Sequence, residues 1–249
     1  MLLKTVIKNV GEWKAVINAI GDIVEDAMFI CNSDGITFRG MDASHIALLD
    51  VTFPKGSFES FEAKTSFFGL RVEEFKKVLN TSGNADTVTF QISENDRLKV
   101  SISGSLNMEY NIRLIEKTEV NTPLPKIDYK SKISLDPNTL ARILSNIQQI
   151  SEYVTISSEA NKIRFLGTGE AGDATIGLEK GSPELEKLDV LEETSAIYSL
   201  EYMAQIIRDV GKASKRINME YASKNPIHIL FEMPSMAKVE YYLAPRVED

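Results

Sequence analysis

Cysteine is almost absent from this chain. Cys31 is the single cysteine in 249 residues, so no disulfide can close within the chain. The two histidines, His45 and His228, add too few ligands to suggest a zinc site, and no metal or cofactor is expected. Long apolar runs are missing too. Nothing approaches the ~18 consecutive apolar residues of a membrane span. The first ten residues, MLLKTVIKNV, alternate like a strand and lack the apolar block and cleavage site of a secretory signal. An intracellular setting is expected. Basic residues are in deficit, 28 against 36 acidic, for a net charge of -8. That balance excludes a protein that grips nucleic acid with its whole surface. No G-x-x-x-x-G-K-[ST] phosphate loop is present.

What remains is an ordinary folded composition, 43% hydrophobic and 26% charged. At about 100–200 residues per domain, the length fits one large domain or two small ones. The apolar pattern favours two. Trp13, Val16, Ile17 and Ile20 share one helical face, and adding 127 gives Leu140, Ile143, Leu144 and Ile147, a second such face. The strand-like Ile36–Gly40 shifts by 127 onto Ile163–Gly167. Val72, Phe75, Val78 and Leu79 shift by 128 onto Leu200, Met203, Ile206 and Ile207. Leu98–Ile102 and Met108–Ile112 shift by 129 onto Ile227–Phe231 and Ala237–Tyr241. The period is far longer than the ~20–50 residues of a solenoid. It predicts two copies of one α+β unit, residues 1–115 and 130–249. The connector, 116–129, is held extended by Pro123 and Pro125.

Each helix needs its apolar stripe against a sheet, and the opposite side is left to face outward. Lys77 lies opposite Phe75 and Leu79, with Lys76 on the flank. Arg142 and Gln149 lie opposite the Leu140 stripe. Arg208, Lys212 and Lys215 lie opposite Met203, and Lys14 flanks the first helix. The four spans Val10–Ile20, Arg71–Asn80, Pro137–Ile150 and Leu200–Arg216 carry nine basic and five acidic residues. They total +4, leaving -12 elsewhere. A cationic helix face for phosphates and ordinary solvated helices are both compatible with that count.

Candidates for catalysis fade. Gly167–Gly172, GTGEAG, matches a dinucleotide fingerprint, but it reads as strand–turn–strand where such a site needs a helix N-terminus. A nucleotide-binding enzyme built on this turn is the rival reading. The acid pairs Glu25/Asp26, Glu73/Glu74 and Glu192/Glu193 diverge within any regular element, and general acid–base chemistry needs convergent carboxylates. His45 reads as a loop histidine, His228 as a residue within an apolar strand, and Cys31 as a small buried hydrophobe. No enzyme is expected.

Two motifs carry a resemblance. GMDASHIALLDVTF at Gly40–Phe53 and KVEYYLAPRVED at Lys238–Asp249 closely resemble the proliferating cell nuclear antigen family of archaeal and eukaryotic sliding clamps. The likeness covers the whole chain. It implies a homotrimeric ring, or a place in a heterotrimer, whose helices line a hole around duplex DNA. It implies a processivity factor, loaded by an ATP-driven clamp loader, that tethers DNA polymerase, flap endonuclease and DNA ligase at replication and repair sites. The place is the cytoplasm or nucleoid of an archaeon, or a eukaryotic nucleus. Subunits would join by pairing Glu109, Tyr110, Asn111, Ile112, Arg113 and Leu114 of one chain with Thr175, Ile176, Gly177 and Leu178 of the next. Clients would insert a motif of a glutamine, an aliphatic residue and two aromatics into a groove beneath the connector. The matching positions are Met41, His45, Ile46, Leu48, Leu124, Pro125, Pro226, Tyr242, Leu243, Ala244, Pro245 and Val247. The chain departs from the family at Ala15, Gly21, Ser145 and Glu201, where relatives are often basic, and at Thr122, where a hydrophobic residue is usual.

Overall fold

The computed structural model describes residues 1–93, 96–116 and 122–247. The chain falls into two compact units, 1–122 with 233–239, and 123–232 with 240–249. Part of the expected connector, 117–121, lies outside the described residues, as do the last two residues of the C-terminal motif.

The first unit runs β1 (Leu3–Ile7), α1 (Val10–Ile23), β2 (Asp26–Asn32), β3 (Gly35–Met41), β4 (Ala47–Pro54), β5 (Phe58–Ala63), β6 (Ser66–Arg71), α2 (Val72–Asn80), β7 (Thr87–Ile92), β8 (Arg97–Ser103) and β9 (Asn107–Arg113). One sheet has the order β5-β1-β7-β8-β9, and a second run of strands is β4-β3-β2-β6. The strands alternate, as a half-buried sheet requires. In β8 (RLKVSIS), for example, Leu98, Val100 and Ile102 are buried while the residues between them are not. Asn9 caps α1 by accepting the Glu12 amide, and its own side-chain amide donates to the Glu12 carboxylate. The buried Glu12 carboxylate also accepts from the Ser235 amide and hydroxyl, which docks the 233–239 stretch onto this unit.

The second unit repeats the sequence of elements one for one: β10 (Ser131–Leu135), α3 (Pro137–Ile147), β11 (Tyr153–Glu159), β12 (Lys162–Gly169), β13 (Gly172–Glu179), β14 (Leu185–Val190), β15 (Thr194–Ser199), α4 (Leu200–Val210), β16 (Arg216–Tyr221), β17 (Ile227–Glu232) and β18 (Lys238–Leu243). Its strand runs are β14-β10-β16-β17-β18 and β13-β12-β11-β15, the same order as in the first unit. Asp136 caps α3 by accepting the Asn138 and Thr139 amides, and Pro137 fills the first helical position, where its missing N–H costs nothing. The α+β class and the internal duplication are therefore present as the apolar period indicates.

Two helices are shorter than the sequence suggests. The last helix was expected to reach Arg216, but α4 stops at Val210 and a single 3-10 turn, Gly211–Ala213, follows. Gly211 is a poor helix residue, and the Ser214 hydroxyl takes its carbonyl at 2.8 Å. The period-2 alternation of RINMEY then turns the chain into β16. Helix α3 ends at Ile147 rather than Ile150, so Gln149 lies in the turn after it. Among the described residues, no helix is long and apolar enough to cross a membrane.

Candidate functional site

The outward helix faces of the two units differ in how far their cations are free. In the first unit α1 is largely buried, including Ala15 at 8% exposure, and its half-buried Lys14 donates from Nζ to the Ser82 carbonyl at 2.5 Å. On α2, Lys77 lies 3.6 Å from Glu73 one turn back, and Arg71 lies 3.8 Å from Glu74. Lys76 is half-buried.

In the second unit Arg142 on α3 is exposed and makes no ion pair among the described residues. The same holds for Lys212 in the 3-10 turn and for Lys215 beyond it. Among the described residues Arg208 forms one ion pair, with Asp209 at 3.8 Å. Lys215 was expected on the helix. It sits instead at the entry to β16, its amide bonded to the Glu232 carbonyl. Gln149 is exposed and reaches back to the Ser145 carbonyl at 3.4 Å.

Among the described residues, strands β9 and β13 each have a strand neighbour on one side only, so each leaves a row of backbone donors and acceptors open. On β9, Glu109, Asn111 and Arg113 are exposed and Tyr110 is half-buried. Ile112 points the other way, into the core at 7% exposure, because residues two apart share a face. Leu114 lies past the strand end, its amide held by the Asp96 carbonyl. On β13, Thr175 and Gly177 are exposed while Ile176 and Leu178 are half-buried.

The client-groove positions divide between the units. In the first, Asp42 organises the turn after β3. Its buried carboxylate accepts the amides of Ser44 (3.2 Å), Ile46 (2.8 Å) and Ala47 (2.6 Å), which holds His45 at φ 57° and leaves Ile46 exposed. Met41 is half-buried, and Leu48, at 2% exposure, is a core residue rather than a surface one. In the second unit Leu124, Pro125, Pro226, Ala244 and Pro245 are half-buried and Val247 is exposed. Leu243, at 0% exposure, packs inside, so it can support a groove wall but cannot touch a peptide. Tyr242 stacks on His228 at 4.6 Å, with Tyr129 beyond the ring at 6.1 Å.

His228 is the centre of a cluster that its place in an apolar strand did not reveal. Its Nδ1 lies 3.3 Å from Glu220 and its Nε2 3.2 Å from Glu240, and Lys132 lies 2.6 Å from Glu220. Burial alone would raise the Glu220 carboxyl. Hydrogen bonds from Lys132 and His228 outweigh it and hold the group below its ordinary value. Burial pushes the Tyr129 phenol well above its usual range. The GTGEAG stretch closes a hairpin, with Gly169 opposite Gly172 and Gly172 at φ 130°. A Cβ on Gly169 would lie 1.9 Å from the Ile150 carbonyl oxygen, so glycine here lets β12 pass under the end of α3. No helix follows to receive a pyrophosphate, which removes the basis of the nucleotide-site reading.

The model of the proliferating cell nuclear antigen N-terminal domain matches residues 2–118, and that of its C-terminal domain matches residues 123–246. The chain belongs to the proliferating cell nuclear antigen family. A DNA polymerase sliding clamp from Cenarchaeum symbiosum is 39% identical over 94% of each chain, and one from Nitrosopumilus maritimus is 39% identical over the same shares. Among solved structures, the proliferating cell nuclear antigen of Thermococcus kodakaraensis superposes with a TM-score of 0.93 at 20% identity, covering 98% of this chain and 100% of its own. The PCNA2-PCNA3 complex from Sulfolobus tokodaii gives 0.90 at 22% identity, covering 98% and 100%. At these identities the structural likeness speaks to the fold.

Sequence reasoning also missed two features that this family member uses to hold its connector and tail. Arg39 pairs with Asp50 through two bonds (2.9 and 3.1 Å) and donates to the Thr122 carbonyl at 3.3 Å, which anchors the start of the expected connector. Arg246 donates its amide to Ile197 on the edge strand β15 and lays its guanidinium 4.1 Å over the Tyr153 ring. Arg39 and Asp50 at paired positions of two consecutive strands could have flagged the first. The second has no local signal.

Proposed function

We infer that this chain works as a DNA polymerase sliding clamp, a processivity factor and not an enzyme. The observation that carries the reading is the match of both family domains, in order, across nearly the whole chain. It is supported by two units that, among the described residues, repeat the same nine strands and two helices. Three copies close a ring by pairing β9 of one chain with β13 of the next, which covers both open edges. The domains 1–115 and 130–249, joined by 116–129, present their helices to duplex DNA. A ring retains DNA by topology, so its contacts can stay weak. Firm phosphate contacts would bring counterion release and tight binding, and would oppose sliding.

Clients are DNA polymerase, flap endonuclease, DNA ligase and an ATP-driven loader, bound through short motifs in the groove of Met41, Ile46, Leu124, Tyr242 and Pro245. Tethering raises the local concentration of each client on the template. The clamp acts inside the cell, at replication sites, which in an archaeal cell means the nucleoid. Primed circular DNA copied with and without this chain and a loader tests the function. Long products only in its presence support it, and unchanged product length contradicts it. Native mass spectrometry tests the ring, with a homotrimer expected. A complex that forms only with other chains would instead favour the heterotrimeric alternative; the PCNA2-PCNA3 complex from Sulfolobus tokodaii is one in which two different chains associate.

A further inference from the structure

His228 belongs to a row of charged residues that crosses the second unit from strand to strand. Lys132 on β10 stands opposite Asp189 on β14 and opposite Glu220 on β16, and Glu220 stands opposite His228 on β17. Glu240 on the next strand, β18, continues the row at 3.2 Å from the ring. Facing positions in a sheet favour opposite charges, and this row alternates in sign throughout if His228 is a cation. The duplicated position in the first unit, 129 residues earlier, is Lys99, a permanent cation paired with Glu109 at 2.7 Å.

Both ring nitrogens of His228 face carboxylate oxygens, Nδ1 that of Glu220 at 3.3 Å and Nε2 that of Glu240 at 3.2 Å. A neutral imidazole has one N–H and one lone pair, so it would turn the lone pair toward one of the two acids. Only the imidazolium donates to both. The Glu220 carboxyl is held below its ordinary value, so it stays ionised at neutral pH. The His228 side chain is 12% exposed, which leaves little room for water to replace either bond. Tyr242 stacks on the ring at 4.6 Å with the planes 15° apart, and Tyr129 lies 6.1 Å away. Lys187 on β14 lines, with Lys132, Glu220 and His228, a cavity of about 290 Å³ beside the row.

We propose that His228 is a positioning residue of the client groove: held as an imidazolium between Glu220 and Glu240, it fixes the plane of Tyr242 and thereby sets client affinity. With both N–H bonds made the ring cannot turn, and a cationic ring attracts the face of the phenol it lies against. Removing the proton leaves one carboxylate opposite a lone pair, so the ring shifts and Tyr242 loses its support. Client affinity therefore falls as pH rises and His228 deprotonates. The role rests on the clamp reading, in which Tyr242 is a groove residue.

The test titrates the full-length chain with a synthetic peptide carrying a glutamine, an aliphatic residue, two aromatics and no histidine. Over about pH 6 to 8, where a histidine ordinarily changes charge, wild-type affinity is expected to fall. The fall should be about three- to fivefold, the size of a partly exposed cation–π contact. His228→Gln should bind weakly at every pH, with a level profile. Glu240→Gln offers the neutral ring a donor and should shrink the fall. Nitrogen NMR reads the ring directly, because the chain has two histidines and the His228 signals are those lost in His228→Gln. Two protonated nitrogens are expected at the acid end. One bare nitrogen there, or a level wild-type profile, overturns the proposal. An equal slope in His228→Gln also overturns it, and places the dependence at His45. Tyr242→Ala separates the two readings. Unchanged affinity in that variant overturns the groove and this role with it, whereas a level wild-type profile beside a weakened Tyr242→Ala overturns this role alone.

Discussion

In the first unit Trp13 stacks on Phe53 at 4.0 Å and meets Phe90 edge-on at 5.1 Å, while Phe75 packs on Phe90 at 5.4 Å. In the second unit the positions that correspond to Trp13, Phe75 and Phe90 hold Leu140, Met203 and Met219, equally buried and without a ring among them. The strand order is the same, yet the ring cluster around α1 and α2 in the first unit is replaced at these positions by leucine and methionine, while the second unit buries its own rings elsewhere, at Phe165, Tyr198, Tyr221 and Phe231. The turn after β3 differs in the same way. The first unit fixes it with the buried Asp42 carboxylate, whereas its counterpart in the second, at Gly169, is a glycine hairpin. What the duplication kept is period and volume. It did not keep the chemistry that fills them, which is why helix faces and turns could diverge while the architecture stayed fixed.

That comparison can be broken by substitution. Trp13→Ala is expected to cost about 4 kcal/mol and Leu140→Ala about 3 kcal/mol in urea denaturation. A larger cost at Leu140 would mean that the rings are not what stabilises the first unit. Asp42→Ala strips three amides of their acceptor and should cost about 2 kcal/mol. Gly169→Ala drives a Cβ into the Ile150 carbonyl and should cost a similar ~1–3 kcal/mol by overpacking. Client-peptide affinity should fall with Asp42→Ala and be nearly unchanged with Gly169→Ala. Tyr242→Ala should weaken the same peptide, and unchanged binding there would remove the groove assignment.

Glu220 gives a smaller, pH-dependent effect confined to the second unit. Its folded pKa is depressed below the ordinary 4.5, so its stabilisation is present above that value and is lost as pH falls through the lower folded value. Glu220→Gln should therefore destabilise by about 1 kcal/mol at neutral pH. The difference from wild type should shrink under acid. A difference constant across the acid range would show that the contacts of Lys132 and His228 with Glu220 do not act through charge. Smallest of all, Glu73→Gln frees Lys77 at a stability cost of a few tenths of a kcal/mol.

Much of this architecture was legible in the residues. The four apolar stripes and their drift from 127 to 129 exposed the duplication, because sheet and helix periods depend only on where apolar side chains recur. Helix ends were less legible. The stripe of α4 gave no sign that the chain would switch to strand after Gly211, so Lys215 was placed on a helix it does not belong to. That Lys14 and Lys77 are occupied could not be read either, since a helical wheel shows direction and not partners. The His228 cluster draws Glu220, Glu240, Lys132, Tyr129 and Tyr242 from several elements, and no local spacing joins them. The groove positions came from resemblance alone. Burial of Leu48 and Leu243 shows that such a set mixes contact residues with the core behind them.

The central claim is retention by encirclement, and it is tested most directly by loading the chain on closed circular DNA and then cutting the circle once. Stable retention before the cut and rapid release after it are expected at the same salt concentration. Retention that persists on the linear product, and weakens only when salt is raised, would show a direct grip and contradict the clamp.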